Sequence, residues 1–326
     1  MATSTSEQLS PPLLSDKQGL FPTPLFYSRS STGTLGQLLR QLISQYQANG
    51  QLRTAETYAA TLNSFMRFSR ATDISLDSIA PLLMQQYESW LLHTARVTPN
   101  TSSFYMRKLR AAYNIAIGRG LTRQRYPFRN VFTGKEKTAK RAVPLSVIRT
   151  IKTLDLSAHP TLTLARDLFM FSFYTRGMAF VDMAYLTKSN LKADYIRYRR
   201  HKTGQQLTIR IETCTKEIIE RYSPPSAPYL LPIITNNDNE RKQYKLMQYR
   251  INYALKQISA IAGLPQTLTM YSARHSWATI AYNKNIPTSV ISEALGHNSE
   301  QTTRIYLASI DVTTIDNANK LILDDI

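Results

Sequence analysis

From Leu35 onward, apolar residues recur at helical spacing. Leu35, Leu38, Leu39, Leu42, Ile43 and Tyr46 share one side of a helix, and Asn49-Gly50 ends the run. Tyr58, Leu62, Phe65 and Met66 mark a second helix, Pro81 to Leu92 a third, and the stretch from Pro99-Asn100-Thr101 to Gly118 a fourth. Four helices of this length predict a small all-α domain over residues 33–128. Ahead of it, residues 1–32 mix Ser, Thr and Pro with scattered apolar residues and no period, the composition of a flexible or partner-dependent arm. After it, residues 129–143 are polar, basic and without an apolar period, which predicts a linker. Helical spacing resumes over 144–326: Leu145 to Ile151, Leu162 to Tyr174, Tyr244 to Ala262, Tyr271 to Asn283, and short runs at 289–295 and 300–309. One segment differs. Tyr195 to Arg200, the turn His201-Lys202-Thr203-Gly204, and Leu207 to Ile211 alternate apolar and polar residues, the pattern of a β-hairpin. The expected fold is therefore mainly α: a small helical domain, then a larger, mixed but mostly α domain with a small β-hairpin or sheet. It closes with a segment, 310–326, in which Ile315, Ala318, Leu321 and Ile322 keep helical spacing.

Charge narrows the class of partner. The 326 residues are 43% hydrophobic, enough for a sizeable core and about two domains. Lys and Arg total 40 against 22 Asp and Glu, a net charge of +18. Such an excess repels itself in a compact chain unless a polyanion neutralises it, so nucleic acid is the leading partner. The cations cluster: Arg107, Lys108 and Arg110 on the fourth helix, Lys135, Lys137, Lys140 and Arg141 in the linker, Arg199 and Arg200 in the hairpin. These are the candidate DNA-backbone contacts, although a run of charge is more often a solvated surface. No apolar run reaches the roughly 20 residues that span a bilayer, and the N-terminus lacks the charged and apolar regions of a secretion signal. The expectation is a cytoplasmic protein without membrane contact. The single cysteine, Cys214, rules out an internal disulfide and a cysteine-based zinc cluster; a buried structural role is expected for it.

Three stretches carry candidate chemistry. Lys202 stands at the hairpin tip. MYSARHSWAT sets Arg274 and His275 at the start of a helix. LGHNSEQTTRIY places His297 after Gly296, a natural helix C-cap, with Ser299 as a natural N-cap for the helix that bears Tyr306. Singly, each has a dull explanation, since a lone Arg is usually surface, a lone His a satisfied core group and a Tyr between Ile305 and Leu307 packing.

Together, in order and spacing, Lys202, Tyr271-Ser-Ala-Arg274-His275, Leu295-Gly296-His297 and Thr303-Arg-Ile-Tyr306 resemble the signature of the tyrosine recombinase (phage integrase) family. The resemblance runs over about residues 34–322, and FYTRGMAFVDMAYL is similar to the conjugative-transposon integrase and DNA invertase branch. It implies a SAM-like core-site DNA-binding domain followed by a catalytic domain, and site-specific recombination through a 3′-phosphotyrosyl intermediate. In that scheme Tyr306 is the nucleophile, Arg274 and His297 bind the scissile phosphate and Lys202 protonates the departing 5′-oxygen. A phenol has a pKa near 10 and is a weak nucleophile at neutral pH, so it needs a phosphate already polarised by fixed cations. The resemblance implies no cofactor and no metal. It implies double-stranded DNA with specific sites as partner, a homo-tetramer on paired sites, and room for an accessory DNA-bending protein; residues 310–326 fit either the segment that packs on a neighbouring protomer or a helix packed within the same chain.

Two positions depart from the family pattern. The arginine expected two residues after Gly177 is Ala179, with Asp182 in the acidic position that follows; Arg176 and Arg200 are the candidates to replace it, with Arg176 preferred. Tyr271 stands where the first histidine is usual, and a phenol hydrogen-bonds phosphate but is a poor base. His275, about 100° round the helix from Arg274, is expected to be structural. Two alternatives stay open: a catalytically impaired relative that only binds and organises DNA, and a type IB-like topoisomerase with the same phosphotyrosine chemistry.

Overall fold

A computed structural model describes residues 33–136, 141–223, 226–307 and 323. The arm at 1–32, Lys137 and Lys140 of the linker, and segment 310–326 apart from Leu323 lie outside the described residues. The chain divides into two compact units, 1–138 and 139–326.

The first unit holds α1 (Leu35–Ala48), α2 (Leu52–Phe68), α3 (Pro81–Ser89) and α4 (Pro99–Gly118). Thr34 starts α1 with a reciprocal cap: its hydroxyl accepts the Gln37 N–H while the Gln37 side chain accepts that of Thr34. The periodic residues close the core. Leu35, Leu39 and Leu42 of α1 meet Phe65 of α2, Tyr87 of α3 and Met106, Leu109 and Tyr113 of α4. Tyr87 hides its polar end by donating to Ser64 Oγ at 2.8 Å. The third predicted helix is α3 followed by a π-helical turn, Trp90–Thr94, a widening that hydrophobic spacing does not reveal.

The segment read as linker begins tied to this unit. Phe128 and Val131 are buried in its core, Ser103 Oγ donates to the Gly134 carbonyl at 2.6 Å, and Asn100 pairs with both backbone groups of Glu136. Of the basic candidates, Lys108 lies 4.9 Å over the Tyr58 ring and Arg110 donates to Thr133 Oγ1 at 3.1 Å, while Arg107 is half-buried and Lys135 exposed.

The second unit runs α5 (Leu145–Thr153), α6 (Pro160–Tyr174), α7 (Phe180–Ala184), β1 (Leu191–Lys192), β2 (Tyr195–Arg199), β3 (Gln206–Arg210), α8 (Thr213–Tyr222), α9 (Glu240–Ile261), α10 (Met270–Asn283), α11 (Thr288–Leu295) and α12 (Glu300–Leu307). Its centre is α6, whose Ala165, Leu168, Phe169 and Phe171 are wholly buried and which packs on both α9 and α10. Each such large side chain contributes on the order of 1.5–3 kcal/mol by leaving water. Val143 joins this core, and its N–H donates to Ser276 Oγ of α10. The predicted hairpin is β2–β3, with Ile196 opposite Ile209 and Tyr198 opposite Leu207; β1 adds a third antiparallel strand.

The mainly α fold expected from the pattern is thus the fold adopted. Cys214 differs from expectation: it is half-buried at the second position of α8, because the buried face of that helix is formed by Thr215, Ile218 and Ile219. No helix among the described residues is long and apolar enough to cross a membrane.

Candidate active site

The site is built where the end of α6 touches α10. Two successive left-handed residues, Arg176 and Gly177, turn the chain out of α6. A Cβ on Gly177 would sit 2.7 Å from Arg274 Cα, so only glycine satisfies both the left-handed φ of 71° and this approach of two backbones. The Gly177 carbonyl then accepts Arg274 Nη1 at 2.8 Å. Gly177→Ala is expected to destabilise the protein by about 1–3 kcal/mol, as overpacking does, and to displace Arg274. A thermal melt unchanged from wild type would contradict this reading.

Arg274 is 3% exposed, and its Nη2 donates to the Leu295 carbonyl at 2.5 Å and contacts His297 Nε2 at 3.1 Å. Both partners come from the end of α11. There Gly296 takes a left-handed conformation, with its N–H on Glu293 O and the N–H of His297 on Ser292 O, a paired C-terminal cap that fixes His297.

The hairpin closes over the same point. Alternation along β2 buries Ile196 and Tyr198 and carries Arg200 to the same face, so Arg200 is 6% exposed while Arg199 is exposed and donates to the Gly204 carbonyl. Arg200 Nη1 donates to the Gly296 carbonyl, and a Cβ on Gly296 would lie 3.1 Å from Arg200 Cδ and 3.0 Å from Leu207 Cδ1. Lys202 is exposed in the turn that follows. The turn is held from below: buried Asp182 of α7 accepts the His201 N–H at 2.8 Å, and the His201 ring packs on Tyr185 at 4.8 Å.

Two guanidinium groups are thus buried together, and among the described residues neither ion-pairs with a carboxylate. Both Nε atoms are buried without a hydrogen-bond partner among the described residues. Burial first, and then the charge of Arg200, pulls Arg274 down to about 10, which leaves it charged at neutral pH. Buried cations without a carboxylate in contact are costly. The arrangement is suited to an anion.

His297 has a defined protonation state. Burial, then Arg274, Arg200 and Lys202, lower its pKa to about 4, so the ring is neutral at pH 7. Arg274 Nη2 can only donate, so His297 Nε2 is the acceptor and Nδ1 carries the proton, donated to Thr303 Oγ1 at 2.7 Å. This bond ties His297 to α12. In the DNA-free protein the His297 ring is expected to titrate near pH 4 by NMR, and a midpoint above 6 would contradict the burial. The linkage has a sign. A depressed histidine contributes stability that is present above its unfolded pKa near 6.5 and is lost as pH falls toward about 4.

The other expected site residues are less uniform. Tyr271 is 44% exposed, stands edge-on to the His275 ring at 4.5 Å, and feels the charges of Arg274, Arg200 and Arg141, although burial dominates and raises its pKa. His275 is half-buried. Arg176 is half-buried, with Nη1 3.5 Å from the Thr208 carbonyl of β3. Tyr306 is the penultimate residue of α12; its side chain lies outside the described residues. Sequence reading takes Thr303 only as part of the motif and foresees neither its bond to His297 nor the burial of Arg200, although the parity of Ile196, Tyr198 and Arg200 already puts all three on one face.

The order and form of both units are those of an integrase: a helical domain followed by a catalytic domain with a small sheet and C-terminal helices. The model of the phage integrase SAM-like domain matches residues 34–132, and that of the phage integrase family matches residues 148–311. The chain belongs to the phage integrase family, and it is a tyrosine site-specific recombinase. It is 21% identical to the tyrosine recombinase XerC of Leptospira interrogans over 295 residues, covering 88% of this chain and 92% of that protein. Among solved structures, a lambda integrase dimer on a COC′ core site superposes with a TM-score of 0.65 at 15% identity, covering 84% of this chain and 95% of that one. The Tn1549 transposon integrase in complex with a circular intermediate DNA gives 0.62 at 17% identity, covering 88% and 99%.

Proposed function

We propose that this recombinase cuts and rejoins double-stranded DNA at specific sites, with Tyr306 as nucleophile, to integrate, excise or invert a DNA segment. The observation that carries the reading is the buried pair of arginines beside a neutral His297 that is bonded to the helix bearing Tyr306. A phosphate entering there meets donors fixed in advance, and it supplies the missing negative charge. The unpartnered Nε of Arg274 and its Nη groups offer the fork that binds two phosphate oxygens, with the Gly177 and Leu295 carbonyls giving way.

The Tyr306 oxygen attacks phosphorus, the bond to the 5′-oxygen breaks, and Lys202 protonates that oxygen as it leaves. The phenolic proton passes to water or to His297 Nε2, the ring atom that faces Arg274 and can accept a proton. Attack by the 5′-hydroxyl of another strand reverses these steps and restores a phosphodiester. The phosphotyrosyl ester conserves the bond energy, so rejoining consumes no nucleotide. Tyr271 adds a hydrogen bond to the phosphate.

Arg107, Lys108, Arg110, Lys135, Lys137, Lys140, Arg141 and Arg199 contact the DNA backbone, with the linker tracking it between the domains. The lambda integrase tetramer bound to a Holliday junction, with a TM-score of 0.63, supports a working tetramer on two paired sites. An accessory DNA-bending protein would aid that assembly. The test is recombination in vitro between two copies of the DNA that flanks the protein's own gene. Exchanged joints are expected. Plasmid relaxation without joints would mark a topoisomerase, and site binding without cleavage an impaired DNA organiser.

A further inference from the structure

We propose that Arg200, from the hairpin, is the second phosphate-binding arginine, in the role that the family pattern gives to the residue now occupied by Ala179. The proposal rests on the reading of this site as a phosphoryl-transfer centre and adds a residue to it.

Three observations on Arg200 converge. It is 6% exposed, yet among the described residues its Nε has no partner, while its Nη1 donates to the Gly296 carbonyl. A buried guanidinium with an idle donor is poised for an anion. Secondly, its charge acts on the same groups that Arg274 serves: it depresses Arg274 and adds to the depression of His297. Thirdly, two glycine contacts hold the arginines to a common point, since Gly177 abuts Arg274 and Gly296 abuts Arg200. Arg176, the alternative, reaches toward the outer strand carbonyl of Thr208, and the charges that act on His297 are those of Arg274, Arg200 and Lys202.

The substitution has a mechanistic consequence. A cation that would ordinarily come from the turn after α6 comes from the hairpin, two residues before Lys202. One element then delivers both a phosphate clamp and the proton donor. Asp182, through the His201 N–H, and Gly296, through Arg200, set the position of both.

The test compares two DNA substrates that differ only at the phosphate where the wild-type protein cuts: an ordinary phosphodiester, and a methylphosphonate, which has no charge to neutralise. Wild type, Arg200→Ala, Arg200→Lys and Arg176→Ala are each measured at saturating DNA for covalent adduct formation. On the phosphodiester, Arg200→Ala is expected to be about a hundred- to a thousandfold slower, the effect of losing one oxyanion donor, with Arg200→Lys intermediate and Arg176→Ala near wild type. On the methylphosphonate the deficit of Arg200→Ala should shrink by about tenfold or more. Equal deficits on both substrates would mean that Arg200 only supports the fold, and would overturn the proposal. So would a fast Arg200→Ala, or the narrowing pattern appearing in Arg176→Ala instead. Wild type that binds the DNA but cleaves neither substrate overturns the phosphotyrosyl reading itself, a result distinguishable because the unmutated protein then fails too.

Discussion

Tyr306→Phe is expected to bind its DNA site as wild type does and to form no covalent adduct, a loss of cleavage below detection. The single oxygen removed is the atom that would bond to phosphorus. The helix that carries it is anchored by other residues. Thr303, wholly buried, anchors α12 to His297, and Leu307 is buried against Ala278, Ala281 and Leu295. A denaturing gel of end-labelled DNA after incubation measures the adduct, and a gel shift measures binding. Adduct at the wild-type level would require a different nucleophile and would remove Tyr306 from the scheme.

The second large effect belongs to Arg274. Arg274→Ala should slow cleavage by about a hundred- to a thousandfold or more, since one donor to a developing charge typically contributes that much. It should also destabilise the unit, because the Gly177 and Leu295 carbonyls and His297 Nε2 all lose a donor. Each buried acceptor left unpaired costs about 1–3 kcal/mol. Arg274→Lys is not expected to rescue the rate, because an ammonium on a flexible stem cannot reproduce a fork held by two carbonyls. Single-turnover cleavage together with a thermal melt separates the two losses. Recovery of rate in Arg274→Lys would mean that charge alone, without the fork, serves the phosphate.

Much of this architecture is legible in the sequence, and the boundary of legibility has physical causes. Long amphipathic helices such as α1 and α9 repeat their pattern over enough turns to be read. Gly296 announces the end of α11 because few residues other than glycine take a left-handed cap without cost. The five-residue α7 is shorter than two helical turns, so no period is available, and the two-residue β1 offers none either. The site follows the same rule. The motif residues were recognisable one by one, but the contact of Arg200 with Gly296 joins positions 96 residues apart in the chain. Composition cannot show such a meeting. Strand parity shows that Arg200 faces inward, and only the packing of the hairpin on α11 shows what it faces. Proximity to Gly177 in the sequence favours Arg176, and its Nη1 lies 3.5 Å from the Thr208 carbonyl of β3, a contact that sequence does not show.

The most direct test of the central claim is to find the atom that becomes linked to DNA. Wild-type protein is incubated with a suicide duplex from the DNA flanking its gene, in EDTA, and the adduct is trimmed with nuclease, digested with trypsin and sequenced by mass spectrometry. The expected result is a nucleotide attached through its 3′-phosphate to Tyr306 in the peptide 305–320, with a free 5′-hydroxyl on the other side of the cut. A nucleotide on any other residue, linkage to the 5′ end, or cleavage that requires a divalent metal would contradict it.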